Sequence, residues 1–113
     1  MKAETRKLLE MVSQASGETI DDIMSKQRRR PLPACRWLVA RELVRRGYSK
    51  DYASHQVNIT HASLLHGTFM LDVMVQHPRN GYAEEVHIER RFNAALQDSK
   101  MVLYGSDSQA VRK

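Results

Sequence analysis

Apolar residues recur every three or four positions along most of the chain, and no segment alternates strictly between apolar and polar residues as a strand does. The pattern predicts a helix over residues 3–15 that ends at Gly17, a short helix capped by Thr19, and a third helix over about residues 34–46 that ends at Gly47. The sequence PLP separates the second helix from the third, because proline removes an amide donor and restricts the residue before it.

The second half of the chain continues the helical pattern. Ser49 is expected to cap a short helix, KDYASHQV, and Thr60 a longer one that reaches about Gln76. HPRNG predicts a turn, and YAEEVHIERRFNAAL predicts a final amphipathic helix with Val86, Ile88 and Phe92 as core residues. Residues 97–113 form a tail without a clear period, which we expect to fray or to pack loosely. The sequence therefore predicts an all-α fold.

The long helix after Thr60 has apolar residues around most of its circumference. At 100° per residue, two arcs are predicted to face the core, and they consist of Leu64, Leu71 and Val75 and of Leu65, Phe69 and Val73. Another arc has small or hydrogen-bonding side chains in its N-terminal half, and it consists of Ser63, His66, Gly67 and Met70 beside Thr60.

The length of 113 residues, with a mass of 13.0 kDa, predicts a single domain that begins with an N-terminal helical segment at about residues 1–14. Nine of the 18 lysines and arginines lie between Lys26 and Lys50, where Glu42 is the only acid. The rest of the chain has nine bases and twelve acids. An acidic body with one basic segment favours a polyanionic partner that binds to one face.

The basic segment is predicted to form one continuous patch. Trp37, Ala40 and Val44 share an arc of the third helix, with Val39 and Leu43 beside them. Arg41 and Arg45, four residues apart, lie on the opposite side, which we expect to be the outer face next to the arginine run.

A short helix, a tight turn and a longer helix that follow a basic patch suggest a helix-turn-helix motif. In such a motif the second helix enters the major groove, and its first turns contact base edges. The arc with Ser63 and His66 suits a groove-facing surface. The alternative is ordinary helix design, in which a polar stripe faces water.

Two stretches resemble the C-terminal DNA-binding domain of DnaA, the bacterial replication initiator, which is related in fold to the Trp repressor. MSKQRRRPLPACRWLVA is similar to the basic loop of that family, including the arginine that opens the next helix, here Arg36. THASLLHG is similar to the family signature, with Thr60 in place of its aspartate, Ala62 and Ser63 in place of its two threonines, and His61 and His66 kept. The resemblance covers about residues 15–96.

The resemblance implies that Arg28 enters the minor groove, that Lys26, Arg29 and Arg30 contact phosphates, and that signature residues read the major groove. A guanidinium on a loop suits a narrow, electronegative minor groove. The DNA-binding residues expected from the patch and the resemblance are Lys26, Arg28, Arg29, Arg30, Arg36, Arg41, Arg45, Thr60, His61, Ser63 and His66. Solvated surface charge is the alternative for the arginine run, burial against the turn for His61, and helix capping for Ser63.

Enzymatic chemistry is not expected. His61 and His66 are five residues apart, about 140° around a helix, so they do not form an i, i+4 metal pair, and one cysteine provides no zinc cluster. No phosphate-binding GxxxxGK[ST] loop is present, and we expect no cofactor and no bound metal. Cys35 has either a lowered pKa beside Arg36 or a place in the core as an inert thiol.

The N-terminus has no secretory signal, and FMLDVMV is too short to cross a membrane, so we expect a cytoplasmic protein without membrane contact. Two functions remain open. The first is sequence-specific binding of double-stranded DNA in replication initiation or its regulation. The second is a protein-interaction module that kept the fold and binds a protein of the replication machinery through the acidic helix at Glu84, Glu85 and Glu89.

Overall fold

Six α-helices make up the structure of the protein, a computed structural model that describes residues 2–77 and 80–107. The helices are α1 (Ala3–Ser16), α2 (Ile20–Met24), α3 (Leu32–Arg45), α4 (Lys50–Gln56), α5 (His61–Gln76) and α6 (Ala83–Asp107). The described residues contain no strand, and the all-α prediction is confirmed.

The ends of the first five helices lie within two residues of their predicted positions because the local signals are strong. Gly17 has a φ of 79°, and its N–H donates to the carbonyl of Ser13 at 2.8 Å, which ends α1. Three side-chain oxygens cap the starts of α2, α4 and α5 by accepting the backbone N–H three residues on, and they belong to Thr19, Ser49 and Thr60.

The central element is α3, which packs against all five other helices. Cys35, Leu38, Val39, Ala40 and Leu43 are fully buried within it. Since neighbouring helices surround α3, most of its circumference is covered by protein. The prediction of an outer, basic face is therefore wrong for part of the helix.

On α5, one face packs against α3, α4 and α6 and buries Leu64, Gly67, Leu71 and Met74. The predicted core positions outside this face are exposed instead: 45% for Leu65, 64% for Phe69 and 47% for Val75, while Val73 is half-buried. These two predicted arcs are thus only partly correct. In the structure α5 lies at the surface, where only one of its sides packs against other helices, so apolar residues outside that side are exposed.

As predicted, α6 buries Val86, Ile88 and Phe92, and it packs mainly against α1. It continues to Asp107 instead of ending near Leu96, so residues 97–107 of the predicted tail are helical. That the tail frays or packs loosely stays a prediction. Those residues include no proline, and nothing in them forces the helix to stop. Pro78 and Arg79 of the predicted turn, and residues 108–113 of the predicted tail, lie outside the described residues.

Candidate nucleic-acid interface

Asn58 fixes the connection between α4 and α5 to the basic loop, the segment of residues 25–31 that joins α2 to α3 and contains the arginine run. This residue has a φ of 63°, a left-handed conformation that asparagine tolerates better than most residues. Its side-chain amide donates to the carbonyl of Met24 at 3.1 Å, and its own carbonyl accepts from Nζ of Lys26 at 3.2 Å. The start of α5 and the start of the arginine run therefore have a defined relative position.

Between them lies a cavity of about 660 Å³, which we call the Trp37 groove. It is lined by the basic loop, by the start of α3 and by the first two turns of α5. Six of the predicted DNA-binding residues line it, namely Lys26, Arg28, Arg36, Thr60, Ser63 and His66.

The contact between α3 and α5 at the groove depends on Gly67. A Cβ at this position would lie 2.2 Å from the indole ring of Trp37, far closer than any real contact. The same ring meets His66 edge-on, with the ring centroids 6.0 Å apart. Gly67, predicted to lie on the groove-facing arc, is buried and allows Trp37 to pack directly on the helix backbone.

Arg36 lies in the groove wall, but its guanidinium points into the protein. Nε donates to the carbonyl of Ile23, and Nη2 donates to that of Asp22 at 3.4 Å. Both carbonyls belong to the last turn of α2, and that of Asp22 also accepts from the N–H and the hydroxyl of Ser25. Burial lowers the pKa of Arg36 from its ordinary value. Arg36 therefore supports the end of α2 and is not placed to contact DNA.

Arg29 and Arg30 are half-exposed, but both are paired with acids. Arg29 donates to Glu18 at 2.7 Å and to Asp22 at 3.3 Å. Arg30 forms a bidentate pair with Glu85, in which both N–O distances are 2.7 Å, and it lies over the ring of Tyr82. The Arg30 guanidinium lowers the pKa of Glu85, which is itself buried. These two arginines attach the loop to its neighbours.

Two further arginines, one on α3 and one directly after it, are used in the same way. Arg41 pairs with Glu89 of α6 at 2.8 Å, and the two side chains are only 11% and 12% exposed. Arg46 pairs with Glu4 at 2.8 Å and with Glu42 at 2.9 Å, and this contact, followed by the hydroxyl of Tyr48, lowers the pKa of Glu4. The prediction that Arg41 lies on an outer face is wrong, because α6 covers it.

Within the basic segment, residues 26–50, the exposed basic side chains that have no carboxylate of the described residues closer than 3.9 Å lie beside α5. Lys26 and Arg28 line the Trp37 groove, and neither has a carboxylate partner. Arg45 and Lys50 line a second cavity of about 230 Å³ together with Leu65. Arg45 is 3.9 Å from Glu42, which Arg46 holds more closely. Positive charge thus lies on two sides of the first turns of α5.

The polar residues at the start of α5 divide into two groups. Oγ1 of Thr60 accepts the N–H of Ser63, so the hydroxyl of Thr60 is engaged as a cap. His61 is exposed, with Nδ1 2.7 Å from Oδ1 of Asp51, so it is not buried against the turn. The side chains of Ser63 and His66 both line the Trp37 groove, His66 being exposed and Ser63 half-buried.

The acidic helix proposed as a protein-binding surface is mostly engaged inside the molecule. Glu85 and Glu89 are buried in their pairs with Arg30 and Arg41, and only Glu84 is exposed. The prediction of an accessible acidic face at these three residues is therefore wrong.

Cys35 is a core thiol. It is fully buried, and burial raises its pKa to about 11, so it is protonated at neutral pH. Residues 2–77 and 80–107 contain no cluster of three or more histidine, cysteine, aspartate or glutamate side chains that could hold a metal ion. No helix in this part of the chain is both long and apolar enough to cross a bilayer.

Several residues of the interface were not predicted to belong to it. Lys50 was part of the basic segment but was not named as a binding residue, and Trp37 was placed on the arc of the third helix opposite Arg41 and Arg45. The exposure of Leu65 and Phe69 had a detectable signal, since two apolar arcs on α5 exceed what one buried face requires. The close approach of Trp37 to Gly67 had no local signal.

A scan of the chain against models of known protein families gave no match, and comparisons with curated proteins and with solved structures gave no significant match.

Proposed function

We propose that this protein binds double-stranded DNA in a sequence-specific manner, with α5 in the major groove as the second helix of a helix-turn-helix. The observation that carries the proposal is the position of the four exposed basic side chains of residues 26–50 that have no carboxylate closer than 3.9 Å in the described part of the chain. Lys26 and Arg28 lie on one side of the first turns of α5, and Arg45 and Lys50 lie on the other. Two basic flanks suit a helix that enters a groove bordered by two phosphate backbones.

The dimensions agree with this arrangement. The major groove is about 12 Å wide, and an α-helix with its side chains is about 10–12 Å across. Ser63 and His66 would then face the edges of the DNA bases. Lys26, Arg45 and Lys50 would contact phosphates, and Arg28 would contact a phosphate or the adjacent minor groove. Arg36 and Arg41 have no part in this proposal because their guanidinium groups are engaged inside the protein.

The resemblance of the basic loop and of THASLLHG to the DnaA C-terminal domain supports the same arrangement and gives Arg28 the minor-groove role. On that basis we place the activity in replication initiation or its regulation. The chain would act as a DNA-binding domain, and no enzymatic step is proposed for it.

Selection of bound sequences from a random duplex library tests the proposal directly. We expect a converged motif, and fluorescence anisotropy with that duplex should show a log K that falls by about 0.9 per neutralised phosphate for each unit of log salt. Four contacts give a slope of about −3.6. A scrambled duplex of the same length is the control. Failure to bind either duplex at low salt would contradict the proposal.

A second candidate function is protein binding, which the exposure of Leu65 and Phe69 favours. Large apolar side chains on one helix face are typical of interaction surfaces. A pure interaction module would select no DNA motif, and its binding to a partner would depend weakly on salt. The two functions are therefore separated by the same library experiment.

A further inference from the structure

An apolar stripe runs along the exposed side of α5, and its first two residues lie in the two cavities that hold the basic flanks. It consists of Ala62, Leu65 and Phe69, which lie within about 60° of one another around the helix. Leu65 is 45% exposed and Phe69 is 64% exposed, although the helix has a buried face of its own. Nothing in the packing of the described residues requires large apolar side chains at these two positions.

The surroundings of the stripe indicate what covers it. Leu65 shares one cavity with Arg45 and Lys50, and Ala62 lines the Trp37 groove with Lys26 and Arg28. A purely apolar partner surface would leave these cations facing uncharged groups. A DNA major groove has phosphates at both edges and one apolar group on its floor, the 5-methyl group of thymine.

We propose that Leu65 and Phe69, with Ala62, contact thymine methyl groups and so make the protein prefer A·T pairs at the centre of its site. This inference rests on the proposed function and adds the sequence class that α5 reads. Residues 62 and 69 are about 10.5 Å apart along the helix axis, which corresponds to about three base pairs. The preferred site should therefore contain thymines within a window of about three pairs.

Uracil substitution tests the proposal, because uracil differs from thymine by the 5-methyl group alone and keeps every hydrogen-bonding atom. In the duplex selected above, each thymine is replaced by deoxyuridine in turn, and binding is measured by anisotropy at one salt concentration. We expect one to three positions at which affinity falls about fourfold, the effect of losing one buried methyl group. The Leu65→Ala and Phe69→Ala variants should each lose the response to uracil at one of these positions. At that position, the duplex with thymine and the duplex with uracil should bind the variant equally.

Val75→Ala is the matched control, since Val75 is also exposed and apolar but lies near the other end of α5. It should keep the full response to uracil, and all three variants should melt close to the wild type. A selected duplex that tolerates uracil everywhere overturns thymine reading and leaves DNA binding intact. If no duplex is selected at all, the proposed function fails as well. A wild-type dimer that Phe69→Ala converts to a monomer would assign the stripe to a second copy of the chain and overturn the proposal.

Discussion

Arg41 and Arg45 lie one turn apart on α3, yet Arg41 pairs with Glu89 beneath α6 and Arg45 is exposed beside α5. The same division applies to the whole basic segment. Arg29, Arg30, Arg41 and Arg46 hold carboxylates at 3.3 Å or less, and Arg36 is buried against two carbonyls, whereas Lys26, Arg28, Arg45 and Lys50 have no carboxylate of the described residues closer than 3.9 Å and flank α5. We call these two groups the paired set and the free set.

The comparison teaches that the charge of this segment has two uses. The paired set holds α6, the first connection and α1 against the body of the protein. The free set gives α5 its electrostatic surroundings. A count of the lysines and arginines in this segment overestimates the charge that is available to a polyanion by about a factor of two, since five of the nine belong to the paired set.

The largest expected effect is on stability, and it distinguishes Arg41 of the paired set from Arg45 of the free set on the same helix. Arg41→Ala leaves Glu89 buried without its partner, and we expect the free energy of unfolding to fall by about 3 kcal/mol, as for other broken buried pairs. Arg45→Ala removes a solvated charge and should change it by less than about 0.5 kcal/mol. Urea denaturation followed by circular dichroism measures both values. Equal effects of the two substitutions would remove the distinction between the sets.

Removal of the whole free set should have the next largest effect, mainly on binding, with a small loss of stability from the missing Lys26–Asn58 hydrogen bond. With Lys26, Arg28, Arg45 and Lys50 all changed to Ala, we expect affinity for the selected duplex to fall at least about 100-fold and the salt slope to approach zero. The matched control is Arg29→Ala with Arg46→Ala, which removes charge from the paired set. Its folded fraction should keep a slope near −3.6. A steep slope in the fourfold variant would show that the phosphate contacts lie elsewhere.

Within the basic loop, the two sets can be compared at neighbouring residues, Arg28 of the free set and Arg29 of the paired set. Arg28→Ala should weaken binding to the selected duplex by about 5- to 10-fold more than binding to a scrambled one, because a base contact is worth about 1–3 kcal/mol. Arg29→Ala, whose charge is balanced by Glu18, should lower both affinities little and equally. Anisotropy titrations of the two duplexes at fixed salt give the ratio. An unchanged ratio for Arg28→Ala would reduce its role to a phosphate contact.

The smallest effect concerns pH and belongs to the paired set. The folded-state pKa of Glu85 is below its ordinary value of 4.5 because of Arg30, so its ionised form stabilises the fold above that pH. This contribution should be lost as the pH falls from about 4.5 through the lowered pKa. Arg30→Ala should make the acid limb of the stability profile shallower, and Arg28→Ala should leave it unchanged. Melting temperatures measured between pH 2 and pH 6 provide the profile, and parallel profiles for wild type and Arg30→Ala would contradict the assignment.

The sequence was sufficient to predict those features of the fold that depend on residues close together in the chain. The caps at Thr19, Ser49 and Thr60 and the stop at Gly17 follow from side chains within three or four residues, and their positions are confirmed. Helical periodicity was sufficient for the all-α class. It was not sufficient to show which side of a helix is covered, because that depends on elements far away in the chain.

Most of the errors have this origin. Arg41 meets an acid 48 residues away and Arg30 meets one 55 residues away, so neither pairing has a local signature. Leu65 and Phe69 were placed in the core because they are apolar, but α5 has only one packed side. Which residues contact DNA stays a prediction for Arg28, Ser63 and His66, and the structure adds that all three line one groove.

Trp37 packs on the bare backbone at Gly67, beside His66 in the groove, and it is the only tryptophan in the chain. Its indole is consequently an intrinsic optical reporter of the interface. Emission from this single fluorophore should change when an anion or a duplex occupies the groove, without any label and without a contribution from other indoles. The same side chain would report separation of α3 from α5 during unfolding. Occupancy and integrity of the candidate site can thus be followed through one native residue.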